Sequence, residues 1–224
     1  MAFGLLLGLA SALSSAIAHV LSKAALRDMN LVYFLKLRTT GAAAAMLVLA
    51  LISGDYAQLA HLTPQHWAWI AAGGILSPWL ISTLLFWSLE RMPLNVNAPL
   101  FRSSAVFTLA FSVLLFGEKV GAIAVVGVLM VVCAVGLFSW RRVADPEATR
   151  RTQPLPVLAA LLSAVLFGLT VSLWDVFRQW TSGTNINLVQ CTVGSLFWIG
   201  IDACRSGRCP VGRTHLLNAL LSGV

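Results

Sequence analysis

The chain has 224 residues, of which 58% are hydrophobic and 10% charged, with a mean hydropathy of +0.86. A soluble domain carries about a quarter charged residues, so a soluble fold is excluded; apolar runs of about 20 residues point to membrane helices, not to the roughly 10-residue strands of a barrel. The net charge of +7 arises from arginines lying between apolar runs, where no soluble domain offers a binding face, so loop bias accounts for it and no nucleic-acid partner is expected.

The first apolar run, residues 3–22, sets Gly4, Gly8, Ser11, Ser15, His19 and Ser22 three or four residues apart, on one helical face. Small residues at that spacing allow close helix approach, and the hydroxyls suit interhelical hydrogen bonds or the lining of a cavity. The run lacks a basic start and is too long for the core of a signal peptide, so it is expected to remain as a span. His19 lies near its end, where two readings stand: a ring capped by a neighbouring carbonyl, or a proton-binding group.

Lys23, Arg27 and Asp28 form the first loop, followed by a second run over 31–52. Lys36 is close enough to the interface to snorkel, whereas Arg38 stands open between interface and interior. Residues 53–65 form a polar loop; His61 and His66 lack a third ligand nearby, so no metal is assigned. The third run, 66–89, begins with Trp67 and Trp69 and ends with Trp87, a pattern of aromatic belts. Gly73, Gly74 and Pro78 interrupt its middle and predict a kink against the bundle interior, where protein satisfies the freed backbone groups.

The fourth run, 94–116, holds Asn95, Pro99 and Arg102 on one face and Ser104, Thr108 and Ser112 on another. A charge at a span's centre costs about 2.5–3.5 kcal/mol, so Arg102 is expected to face protein or water. Two roles suit it: tying neighbouring helices together, or presenting its five fixed donors to a carboxylate or phosphate. The turn Gly117-Glu118-Lys119 joins this run to a fifth over 120–138, making an antiparallel hairpin in which Glu118 is read as structural.

Residues 141–153 (RRVADPEATRRTQ) form a charged linker and the natural boundary between segments 1–140 and 154–224. The sixth run, 154–174, aligns Ser163, Phe167, Thr170 and Trp174 on one face and is followed by an expected Asp175–Arg178 pair. A seventh, 187–203, precedes the basic loop of Arg205, Arg208 and Arg213. The final run, 215–224, would extend only about 15 Å as a helix, half a bilayer. The cysteines, Cys133, Cys191, Cys204 and Cys209, are read as free thiols.

These residues resemble the drug/metabolite transporter superfamily, specifically its EamA-type repeat. The resemblance rests on Leu21-Ser22-Lys23 before a polar turn, Arg38 in the second helix, and the hairpin APLFRSSAVFTLAFSVLLFGEKVGAIAVVGVLMVVCAVGL with its Gly-Glu-basic turn and Gly127 beyond it. It implies a five-helix repeat over 1–140 and a second, inverted one, incomplete here, over 154–224. Ser163-Ala164 echoes Ser11-Ala12, and Asn187-Leu188-Val189 echoes Asn30-Leu31-Val32. A truncated product, or another membrane chain completing the bundle, would account for the missing part. The chain departs from the family in carrying Pro99 where members often have proline at the position of Ala105. The first run also holds no acidic residue, so the proton-coupling glutamate of the small multidrug exporters does not carry over. Orientation draws two answers: loop charge places the N-terminus outside, whereas the resemblance implies a cytoplasmic one.

The expected protein is an all-α polytopic helical bundle in the cell (inner or plasma) membrane. The expected function is secondary transport of a small organic solute by alternating access between inverted repeats, without cofactor or metal. No HExxH, GxSxG or paired intramembrane aspartates suggest an enzyme. The solute site is expected near mid-membrane, with Arg102 turned to the solute, Ser11, Ser15 and His19 along the first helix, and Trp87, Phe101 and Trp174 as apolar walls. The alternative is a non-transporting remnant or partner whose helices only pack.

Overall fold

The computed structural model describes residues 2–143, apart from 28, 118 and 120, and residues 154–204. Glu118, residues 144–153 of the linker, and the expected basic loop and final run within 205–224 lie outside the described residues. Helices α1 (Ala2–Ala25) and α2 (Leu31–Ser53) are followed by a 3-10 turn (Asp55–His61). The third run becomes α3 (Pro64–Gly74), a π-helical segment (Ile75–Ile81) and α4 (Ser82–Arg91). Then come α5 (Leu94–Arg102), α6 (Ser104–Phe116), α7 (Ala122–Val143), α8 (Pro154–Phe177) and α9 (Gly183–Cys204). Five stretches are long and apolar enough to cross a membrane: Leu31–Ser53, Pro64–Arg91, Leu94–Phe116, Pro154–Phe177 and Gly183–Cys204. The protein is an all-α polytopic bundle, with no strand among the described residues.

Local sequence explains the joints. Asn30 caps α2 by accepting from the Val32 N–H at 3.0 Å. Gly117 ends α6 at φ 64°, a left-handed conformation that favours glycine, so the turn read from the sequence starts as expected. At Pro78 the helix does not break. A π segment accommodates the ring, and the carbonyls there find donors: Ser82 Oγ reaches Ser77 O at 3.3 Å and Trp198 Nε1 reaches Pro78 O at 3.4 Å. The interruption expected at this place is thus a π segment within the continuous span Pro64–Arg91.

The fourth run divides at Ser103, whose N–H is shared between Pro99 O and Leu100 O at 3.2 and 3.3 Å. Asn95 and Arg102 are exposed, while Asn97 is fully buried and donates to Ser88 Oγ at 2.6 Å. The face that carries Asn95 and Arg102 therefore turns outward at both residues, and an asparagine on the opposite side enters the core.

Helix α9 runs antiparallel along α2, the most extensive pairing in the bundle. Lys36 pairs with Asp202 at 2.5 Å, and one turn on Thr40 meets Ser195 at 2.8 Å. The snorkelling read for Lys36 is thus replaced by an interhelical ion pair. Helix α8 packs on α6, α4 and α5, reaching α6 closely at Gly168. A Cβ there would stand 2.8 Å from the Thr108 backbone nitrogen, so only glycine permits this approach. The row Ser104, Thr108 and Ser112 lies in this region, where Ser172 Oγ donates to Thr108 O at 3.1 Å. The expected Asp175–Arg178 pair does not form; both side chains are exposed, and water competes successfully for charges on a helix end. One core joins Phe34, Leu35, Phe86, Leu89 and Trp198, and another joins Ile70, Phe177, Ile186 and Val189.

Candidate functional site

The helices enclose a cavity of about 270 Å³ where α1, α2, the π segment with α4, α5, α8 and α9 meet. Helix α1 supplies Ser15, Ala18, His19 and Ser22, the same face that small and polar residues mark in the sequence. The face points inward because Lys23, one residue past Ser22, is anchored. Its Nζ donates to the carbonyls of Leu89, Glu90 (3.2 Å) and Met92 (3.0 Å), capping the C-terminal end of α4. A lysine there satisfies carbonyls that the helix leaves unpaired and ties α1 to the α4–α5 corner.

Among the described residues, Arg38 of α2 is the one fully charged side chain lining the cavity. Its guanidinium carbon lies 4.7 Å from the centre of the Phe86 ring, which is 2% exposed and packs edge-on to Phe34 at 5.1 Å. A cation over an aromatic face is attracted by the ring's quadrupole, which offsets part of its desolvation. Among the described residues, neither aspartate nor glutamate lines the wall.

His19 Nδ1 lies 2.8 Å from Ser15 O. A carbonyl only accepts, so Nδ1 carries the hydrogen. The Nε2 atom is buried and makes no hydrogen bond to the protein. The ring sits 6.0 Å from Phe101, which in turn lies 5.2 Å from Phe167. The carbonyl-capped reading of His19 is thus the arrangement observed at one nitrogen, and it leaves the other available.

Of the residues expected at the solute site, Ser15, His19 and Phe101 are brought together at this cavity. Arg102 is exposed at the end of α5, and its Nη2 donates to Ser15 Oγ at 2.8 Å, so it braces the wall from outside. Ser11 is exposed one turn away along α1. Trp87 lies at the α4–α5 corner beneath Arg91, 4.3 Å from its guanidinium carbon. Trp174 packs beside the Ile70, Phe177, Ile186 and Val189 core. The wall also includes Thr39, Ser77, Ser82, Phe86, Phe167 and Cys191, which no sequence pattern connects. A sequence signal for Arg38 did exist, its position inside an apolar run.

A family model, that of the EamA-like transporter family, matches residues 2–140. No curated protein and no solved structure matches the chain.

Proposed function

The chain belongs to the EamA-like transporter family, and from that premise we propose that it moves a small organic solute across the membrane by alternating access, with the Arg38 cavity as the solute site. The observation that carries this reading is the cavity itself: a charged, partly polar chamber inside a membrane bundle, walled by helices from both sides of the linker. An ionisable group inside a membrane-spanning run costs about 2.5–3.5 kcal/mol on insertion scales when it lies at the span's centre, and marks function in membrane proteins more often than packing. The antiparallel run of α2 beside α9, the second helices before and after the linker, supports an inverted-repeat arrangement with the site at the repeat interface. The proposed units are 1–140 and 154–224, in the cell (inner or plasma) membrane.

Reconstitution of the chain in proteoliposomes tests the proposal. Saturable uptake of at least one solute from a chemically varied panel is expected. Arg102→Ala is expected to insert normally and lose flux, because the brace on Ser15 is removed; unchanged flux would take Arg102 out of the site. Absence of any flux from the unmodified chain would favour a membrane protein whose helices only pack.

A further inference from the structure

The surroundings of His19 identify a solute class, an inference that rests on reading the cavity as the solute site. We propose that the cavity takes a small neutral aromatic molecule with an O–H or N–H at the rim of its ring, of the phenol or indole kind. Its hydrogen goes to His19 Nε2, and its ring lies beside Phe101 and Phe167.

The lone pair on His19 is the first support. His19 lies in the cavity wall, and its Nδ1–H donates to Ser15 O at 2.8 Å, one turn back along α1. That bond selects the tautomer, so in the neutral ring Nε2 presents a lone pair. The Nε2 atom is buried and has no hydrogen-bond partner among the described residues. An acceptor withdrawn from bulk water gains free energy from a donor that reaches it. Arg38 is already engaged, and recognition of this kind does not draw on it.

The aromatic wall is the second. The His19 ring centre lies 6.0 Å from that of Phe101 with the planes at 41°, and Phe101 lies 5.2 Å from Phe167 at 54°. Rings tilted in this way leave faces and edges on which a further ring packs offset or edge-on. The acceptor thus stands at the border of an aromatic surface, which suits a donor on the rim of a ring. The hydroxyls are the third. Ser22 Oγ donates to Ala18 O at 2.7 Å, Thr39 Oγ1 to Leu35 O at 2.8 Å and Ser82 Oγ to Ser77 O at 3.3 Å. These three present lone pairs to the cavity, so a carboxylate meets like partial charge there and brings no hydrogen for Nε2. An ammonium brings hydrogens, but among the described residues no carboxylate lines the wall to replace its hydration. Size is the fourth support. At about 270 Å³ the cavity is just below the roughly 300–1,000 Å³ usual for ligand sites, so one ring or two fused rings suit it and a nucleotide does not.

The test uses the full chain in nanodiscs with isotope-labelled histidine ring nitrogens, read by NMR. The His19 signals are those left after His61→Gln, His66→Gln and His215→Gln, which remove the other imidazoles. The probes are indole, benzofuran and benzylammonium; the first two share a shape, and indole alone of that pair carries an N–H. Indole is expected to move the Nε2 resonance saturably, as a hydrogen bond accepted there does, while benzofuran and benzylammonium leave it in place. Retention of tritiated indole, measured against protein-free nanodiscs, is expected to weaken by about tenfold in His19→Leu, the order of one lost hydrogen bond. Should His19→Leu fail to fold, the resonance carries the test, because it leaves His19 unaltered. No movement of Nε2 with indole, equal movement with benzofuran, or indole retention unchanged in His19→Leu would overturn the inference. Flux separates the two proposals: an indole-dependent Nε2 shift without flux of any solute overturns transport and leaves the binding site standing. Flux of other solutes with no response of Nε2 to indole does the reverse.

Discussion

Four cations near the bundle's core are held in four different ways, and each has a distinct consequence. Lys23 caps α4 carbonyls, Lys36 pairs with Asp202, Arg38 stacks on Phe86 and Arg102 donates to Ser15. The Lys36–Asp202 pair is the one whose energetics can be isolated, since its side chains are 22% and 28% exposed and both partners lie on helices that meet elsewhere. Lys36→Asp alone sets two carboxylates against each other and is expected to destabilise the α2–α9 pairing by about 1 kcal/mol or more. The exchange Lys36→Asp with Asp202→Lys is expected to recover most of that loss. Denaturant titration of the purified variants in detergent measures it, and no recovery in the exchanged pair would mean that the ion pair contributes nothing. A reader of the sequence sees Arg102 first because it stands mid-run. Arg38 attracts less notice because the direction of its side chain depends on Phe86, nearly fifty positions along the chain.

At the scale of the element, the helices are shaped by where a proline or a glycine falls and by what passes opposite. Pro78 widens a helix into a π turn and sits against Gly194 of α9, where an added Cβ would stand 2.4 Å from the Pro78 Cβ. Gly168 does the same service between α8 and α6, while Gly127 of α7 has nothing within 4 Å of an added Cβ. The pair makes a clean comparison: Gly168→Ala is expected to cost about 1–3 kcal/mol through overpacking against backbone, and Gly127→Ala to cost nothing or to stabilise α7 slightly. Unfolding of both variants under the same conditions checks it. A comparable loss at Gly127 would reveal that the α7 face is packed in the native membrane assembly. The sequence marks both glycines alike, because a small residue reads the same whether another helix touches it or not. Helix boundaries were legible to within a few residues, with α8 and α9 running slightly beyond the expected ends, since run length and caps are local properties.

For the whole molecule, the antiparallel placement of α9 against α2 is the organising contact, and loop charge sets the expected orientation in the bilayer. Basic residues cluster in Lys23, Arg27, Arg91, Arg141, Arg142, Arg150, Arg151, Arg205, Arg208 and Arg213, against Lys119 and Arg178 on the other side. The positive-inside bias then puts the 144–153 linker in the cytoplasm and the N-terminus outside. A single cysteine introduced at Ala144 in a chain otherwise free of cysteine is expected to resist a membrane-impermeant thiol reagent in intact cells and to react after permeabilisation. Labelling of intact cells would invert the topology. By itself the sequence determined the membrane class, the limits to within a few residues of the five spans described, the small polar face of α1 and the glycine turn after α6. Each of these depends on residues close together in the chain, because lipid or a turn acts on every segment separately. Only the tertiary structure decided that Ser15, His19 and Phe101 share a cavity with Arg38, that Trp87 and Trp174 stand apart from it, and that Lys36 meets Asp202. Those outcomes follow from the rotation of each helix about its axis, which is set by close contacts such as Gly168 on α6 and Gly194 on Pro78 between residues 60 to 116 positions apart.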